Sequence, residues 1–317
     1  MMQEEIVLLQ KALSILLTLF ALSMILLIYR DNNTYSIGII QAFNHPTLDI
    51  TRQGFTDQID RSDLKNSRNI KIANLVIENG KLVFKDSKKP FTPKNINLIL
   101  TISSQSLYEL LQTNYNIPII FLAVSDLDFI ETNLLRNNKM ITGISDITPI
   151  ESQFKLLTKL LPSINKIGVI YNPEEKLSRL QINLIKKFSS SSGIQCIYEQ
   201  VNTNELAVQA AKNLLGEIDA LYIPSDKTVT PVIQEIITWT DLANIPIISG
   251  DERGVEQGAL CTVIVDYYKL GQEAGKIAIN ALTKQINIKD YPVETSKNNR
   301  IVININKAKK LNIVIPN

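Results

Sequence analysis

The sequence predicts an α/β protein built from two doubly wound parallel sheets, one for each half of the chain. An internal repeat is the first reason: Asn116-Ile117-Pro118-Ile119-Ile120 recurs as Asn244-Ile245-Pro246-Ile247-Ile248, each copy running into small polar residues and then an aspartate. A second pair, Ile37-Gly38-Ile39-Ile40 and Ile167-Gly168-Val169-Ile170, recurs at nearly the same offset, each followed by a proline. The third reason is pattern. Short Ile/Val-rich runs alternate with longer amphipathic stretches, as expected of parallel strands covered on both faces by crossover helices. A length of 317 residues with 45% hydrophobic side chains is enough for two cores. In such sheets ligands bind beyond the carboxyl ends of the strands, so the residues just after each apolar run carry the functional information.

Taken in order, the elements begin with an apolar stretch. Ala12 to Tyr29 carries no charge and is flanked by Lys11 and Arg30-Asp31, close to the ~20 residues a membrane-spanning helix needs and longer than a usual signal core. Residues 1–30 are therefore expected to form a hydrophobic helix, a signal-anchor or a signal segment. The small-x-small site near its end, Ala21-Leu22-Ser23, would leave Met24 to Ile28 exposed after cleavage, which favours retention as an anchor. No cysteine stands at the end of the run, which excludes a lipobox.

Past a polar linker, strands are predicted at Tyr35 to Ile40, Lys71 to Ile77, Leu98 to Thr101 and Ile117 to Val124. Pro46 opens a helix through Phe55 and Ile59, and Ser87 to Pro93 reads as a basic, proline-punctuated loop. The second half opens on Thr148-Pro149-Ile150-Glu151, which has the form of a capping box ahead of apolar Ile150, Phe154, Leu157 and Leu161. Strands follow near Lys166 to Tyr171, Ile194 to Val201, Asp219 to Ile223, Ile245 to Ser249 and Ala259 to Val265. Tyr267 to Leu282 is an amphipathic helix and Arg300 to Ile305 a last strand.

Composition excludes several classes. With 33 basic and 31 acidic residues and a net charge of +2 there is no nucleic-acid footprint. Cys196 and Cys261 sit in apolar, strand-like contexts and read as two small buried thiols. His45 is the only histidine, and beside Pro46 it fits a wall or capping role better than general base chemistry. Gly271 to Gly275-Lys276 lacks the spacing of a phosphate loop and lies within a helical pattern, so it reads as helix packing. Neither a nucleophile elbow nor clustered metal ligands appear, so no catalytic residue, cofactor or metal is expected.

Several strand ends form a set: Ile39-Ile40-Gln41, His45-Pro46-Thr47-Leu48-Asp49, Gly54-Phe55, Gly143-Ile144-Ser145-Asp146, Ile167 through Asn172, Tyr222-Ile223-Pro224-Ser225-Asp226, Gly250-Asp251 and Asp266-Tyr267-Tyr268-Lys269-Leu270-Gly271. From Tyr35 to the C-terminus their order resembles the substrate-binding proteins of ATP-binding-cassette importers, of the type I periplasmic-binding-protein fold, in a family that includes tryptophan-binding members. The resemblance implies two Rossmann-like lobes that close on a small molecule, most naturally an amino acid, with aromatic ones the family's precedent, and hand it to a permease driven by a separate ATPase. It implies a place at the periplasmic face of the cytoplasmic membrane, anchored or secreted. The lobes expected are residues 31–147 with 266–298, and residues 148–265 with 299–317. Two departures bear on specificity: Leu127 where relatives have proline, and Lys227 where many have asparagine. A membrane-anchored sensor with the same lobes and a sugar or nucleoside receptor stay open as alternatives, and a helix-turn-helix regulator is disfavoured by the apolar N-terminus.

For a zwitterionic ligand the candidate residues lie at the strand ends. The resemblance turns the loop of Asn44 and His45 toward the ligand. Ser103 and Ser104 precede a helix whose N–H groups suit a carboxylate, with capping as the alternative. Ala123 and Ser125 offer a carbonyl and a hydroxyl. Tyr171 can stack on the ligand or pack in the fold. Ser225 and Asp226 end another strand, where Asp226 either meets the ligand or caps its helix. Asp251 is expected to pair with an ammonium group, projected by a turn at Gly250, with helix capping as its alternative.

Overall fold

A computed structural model describes residues 34–64, 70–87, 96–126, 132 and 140–316. The apolar stretch of residues 1–30, Leu127 and most of the Ser87 to Pro93 loop lie outside the described residues. Among the described residues, no helix is long and apolar enough to cross a membrane. The chain divides into two compact units. The first comprises the described residues up to Leu122, Thr132–Gly143 and Gly271–Pro292; the second comprises residues 123–126, Ile144–Leu270 and the residues from Val293 on.

The first unit starts with β1 (Tyr35–Gln41) and α1 (Pro46–Asp60), with His45 as N-cap and Pro46 in the first helical turn. There proline's missing N–H costs nothing. β2 (Ile70–Glu78) and β3 (Lys81–Phe84) form an antiparallel hairpin. β4 (Leu98–Ile102), α2 (Ser104–Leu111), β5 (Ile119–Leu122) and β6 (Ile141–Ser145) follow. In the second unit the order is α3 (Ile150–Leu160), β7 (Lys166–Tyr171), α4 (Lys176–Ser192), β8 (Gln195–Gln200), α5 (Asn204–Leu214), β9 (Ala220–Ile223), α6 (Ile233–Leu242), β10 (Ile247–Ser249), α7 (Glu252–Glu256) and β11 (Cys261–Val265). The chain then forms α8 (Tyr267–Leu282), β12 (Glu294–Thr295), β13 (Asn299–Ile303) and α9 (Ile305–Lys310).

The two sheets repeat one plan. Their strand orders are β12-β6-β5-β4-β1-β2-β3 and β13-β11-β10-β9-β7-β8, so β5 and β10, which carry the Ile-Pro-Ile-Ile repeat, occupy equivalent places. So do β1 and β7, which carry the second repeated pair. Buried parallel strands dominate, as the continuous apolar runs require: β4 and β5 are buried throughout, and β7 is buried from Ile167 onward.

Four local readings differ from the sequence expectation. The sheets are not wholly parallel, because β3 pairs antiparallel with β2 and β13 with β11. The β2–β3 hairpin turns at Asn79-Gly80, both at positive φ, the turn chemistry that matches the twist of the flanking strands. The last strand ends at Ile303, since Asn304 caps α9 by accepting from Lys307 N at 2.9 Å. Thr148 is not a capping-box residue. Its hydroxyl oxygen accepts from Gln181 Nε2 at 2.8 Å, and α3 begins without a side-chain cap. Cys261 is buried, which pushes its thiol up to about 12, while Cys196 is half-buried; both are free thiols.

The second core holds one polar insert. Gln153 of α3 is fully buried; its Oε1 accepts from Tyr222 OH at 2.8 Å and its Nε2 donates to Val263 O at 2.9 Å. Each polar atom is matched, so α3 is keyed to β9 and β11 at one register. Tyr222→Phe should cost about 1–3 kcal/mol by orphaning a buried acceptor. Urea unfolding of the two proteins would show it, and an unchanged midpoint would mean that water or another donor replaces the phenol.

Candidate functional site

Six loops lie at the carboxyl ends of neighbouring strands, three from each sheet: after β1, β4 and β5, and after β7, β9 and β10. All the candidate residues fall in them.

In the first unit, Asn44 and His45 are exposed, and His45 Nδ1 accepts from Thr47 N at 3.3 Å as the cap of α1. Phe43 beside them is 50% exposed and meets the His45 ring edge-on, with centroids 6.3 Å apart. Gln41 holds this loop by donating to Phe43 O at 2.9 Å and to Asp49 Oδ1 at 2.8 Å. Its own Oε1 is buried, with no hydrogen-bond partner among the described residues. Ser103 is buried and caps α2, its Oγ accepting from Ser106 N at 3.3 Å, while Ser104 is the exposed first residue of the helix. Ser103 stands at φ 102° and Ala123, after the adjacent β5, at φ 54°. Left-handed backbone at non-glycine residues costs energy and concentrates where a binding loop requires it.

The second unit brings Tyr171, Ser225, Asp226 and Asp251 to adjacent strand ends. Tyr171 is buried, and its ring packs edge-on against Tyr198 at 6.5 Å, which is the packing role of the two open to it. Ser225 N donates to Gln181 Oε1 at 3.0 Å. Asp226, only 3% exposed, accepts from three backbone N–H groups: Asn172 at 2.7 Å, Thr228 at 2.8 Å and Val229 at 3.1 Å. That geometry is a structural cap joining the β7 and β9 loops. Asp251 is also a cap: Oδ1 accepts from Gly254 N at 3.1 Å, and Oδ2 lies 3.4 Å from the Arg253 guanidinium. Gly250 does not turn the chain through positive φ. It is required by space, since a Cβ there would lie 2.6 Å from Ser225 N and 2.8 Å from Gln181 Oε1. Lys227 is exposed.

One cluster joins an expected residue, Ser125, to two that were not expected, Asp146 and Tyr267. Ser125 Oγ donates to Asp146 Oδ1 at 2.8 Å, and Tyr267 OH donates to Asp146 Oδ2 at 3.0 Å. Burial raises the Asp146 carboxyl above the usual carboxylate range, against the lowering effect of these hydrogen bonds. Burial, reinforced by the Asp146 charge, likewise pushes the Tyr267 phenol well up. Both residues belong to strand-end motifs visible in the sequence, but their bonds span 21 and 121 residues, so no local spacing signals them. Among the described residues, no group of His, Cys, Asp and Glu is placed to hold a metal ion.

Two related α/β units with polar, partly strained loops at their strand ends define a solute-binding protein of the periplasmic-binding class. The chain belongs to the ABC transporter substrate binding protein family, whose model matches residues 36–317. It is 31% identical over 282 residues to a tyrosine-binding protein of Clostridioides difficile (strain R20291), covering 88% of this chain and 81% of the relative. The ligand-free, open structure of a substrate binding protein with adhesive properties from Clostridium difficile superposes with a TM-score of 0.74 at 27% identity, covering 89% of this chain and 96% of that one. An ABC domain from Streptococcus pneumonia in complex with L-Trp shares the fold, with a TM-score of 0.58 at 24% identity, covering 90% of this chain and 96% of the other.

Proposed function

We propose that this protein is the receptor of an ATP-driven importer and that its solute is an amino acid with an aromatic side chain. The observation that carries the ligand class is the 31% identity to a tyrosine-binding protein across 88% of the chain. The loops agree with it. Ser103, Ser104 and the start of α2 offer a hydroxyl and backbone N–H groups to a carboxylate, and half-exposed Phe43 beside His45 offers an aromatic edge and face to a ring. The ligand is taken up at the carboxyl ends of the strands and passed to a membrane permease coupled to a separate ATPase. The protein works at the outer face of the cytoplasmic membrane, held there by the apolar stretch from Ala12 to Tyr29. Its role is binding and delivery, not catalysis.

A thermal-shift series on the full-length chain in detergent tests this. L-Tyrosine, L-tryptophan and L-phenylalanine are expected to raise the melting temperature, since a ligand at 100 times its dissociation constant stabilises by about 2.7 kcal/mol. Shifts with sugars or nucleosides and none with any aromatic amino acid would overturn the ligand class.

A further inference from the structure

We propose that Asp146 is the counter-charge for the ligand's ammonium group, its carboxylate held for that purpose by Ser125 and Tyr267. This inference rests on the amino-acid reading of the site. The acidic side chains at the strand ends are otherwise committed. Asp226 is filled by three backbone N–H groups, Asp251 caps α7 and faces Arg253, and Asp126 is paired with Lys176. Asp266 lies 3.5 Å from Lys269, and Asp49 accepts from Gln41 and lies 3.7 Å from Arg52.

Asp146 differs in kind. Among the described residues its side-chain partners are two neutral hydroxyls, one on each carboxylate oxygen, at 2.8 and 3.0 Å, beside a bond from its own backbone N–H. An ionised carboxylate has about four acceptor positions, so two hydroxyl donors fix its plane and leave both oxygens with capacity for a cation. The residue as a whole is partly exposed, unlike the buried Ser145 before it. It follows β6 directly, next to the end of β5 where Ala123 holds its left-handed backbone. The three groups arrive from three chain segments: the loop after β5, the end of β6 and the first turn of α8. An arrangement assembled from such distant segments, around an acid with no basic side-chain partner among the described residues, suits recognition of a primary ammonium.

The test uses the full-length chain and two probes, L-tyrosine and its des-amino analogue 3-(4-hydroxyphenyl)propionate, with affinities read by calorimetry and displacement. The wild-type protein is expected to prefer tyrosine, and Asp146→Asn to weaken tyrosine binding by about 100-fold while leaving the analogue unchanged, so that the preference collapses. Tyr267→Phe keeps the charge but loses one orienting hydroxyl, and should reduce tyrosine affinity alone, by roughly tenfold. Equal losses for both probes, or an unchanged preference in Asp146→Asn, would overturn the assignment. If the wild-type protein binds neither probe, the aromatic amino-acid reading fails and the assignment falls with it.

Discussion

Asp226→Ala is expected to be among the most destabilising single substitutions in the second unit, costing on the order of 3 kcal/mol or more. The side chain is 3% exposed and accepts from the backbone N–H groups of Asn172, Thr228 and Val229. Alanine leaves three donors in a region closed to water, with no acceptor in their place. Each buried unmet donor costs about 1–3 kcal/mol before relaxation, and partial hydration of the Thr228 end should recover some of the sum. Asp226→Asn should fall between the two. Its carbonyl can serve Thr228 and Val229, but its amide then faces the Asn172 N–H, donor against donor. Urea denaturation followed by far-ultraviolet circular dichroism gives the order. A near-normal midpoint for Asp226→Ala together with lost ligand affinity would return Asp226 to the ligand.

The two-sheet plan was legible because the sequence repeats itself at the level of strands. Isoleucine-rich runs with a proline or a glycine in matching places leave few ways to arrange the chain, and the structure puts both copies at equivalent sheet positions. Edges were less legible. The Asn79-Gly80 hairpin carries a strong turn signal, yet the half-exposed β2 and β3 lack the apolar continuity that marks the central strands. The last strand stops two residues short of its apolar pattern, since Asn304-Ile305 continues the Ile-Val alternation but Asn304 caps the helix that follows. Thr148 had the right neighbours for a capping box, but Gln181, 33 residues away, claims its hydroxyl. The site followed the same rule. Strand ends identify which loops matter, because the topology dictates that. Which carboxylate in those loops is already committed depends on partners far along the chain: Asp226 is engaged across 54 residues to Asn172, and Asp146 across 121 to Tyr267.

Gly271→Val should destabilise the first unit by about 3 kcal/mol, at the upper end of what overpacking usually costs. A Cβ at Gly271 would lie 2.0 Å from Thr51 O, 2.7 Å from Phe55 N and 3.1 Å from Gly54 C. All three are backbone atoms of α1, so no rotamer change relieves the clash, and α8 must move off α1 as a body. Around this contact Phe55, Leu270, Ala274 and Ala278 are fully buried; separating the helices opens that seam and forfeits the dispersion contacts across it. Gly275 provides the control. A Cβ there would meet chiefly the Gln58 side chain, whose Cβ and Cγ lie 2.7 Å away; rotation relieves the Cγ contact but not the Cβ one, so the helix shift demanded is smaller than at Gly271, where backbone lies 2.0 Å away, but not absent. Gly275→Ala is therefore expected to cost distinctly less than Gly271→Val when both are compared by urea midpoint. Equal losses would mean that the helices are displaced at either position and that the backbone contact at Thr51 is not what sets their spacing. Because Tyr267 lies one helical turn before Gly271, the Gly271→Val shift should also draw its hydroxyl off Asp146. Tyrosine affinity should then fall with stability in this variant and not in Gly275→Ala.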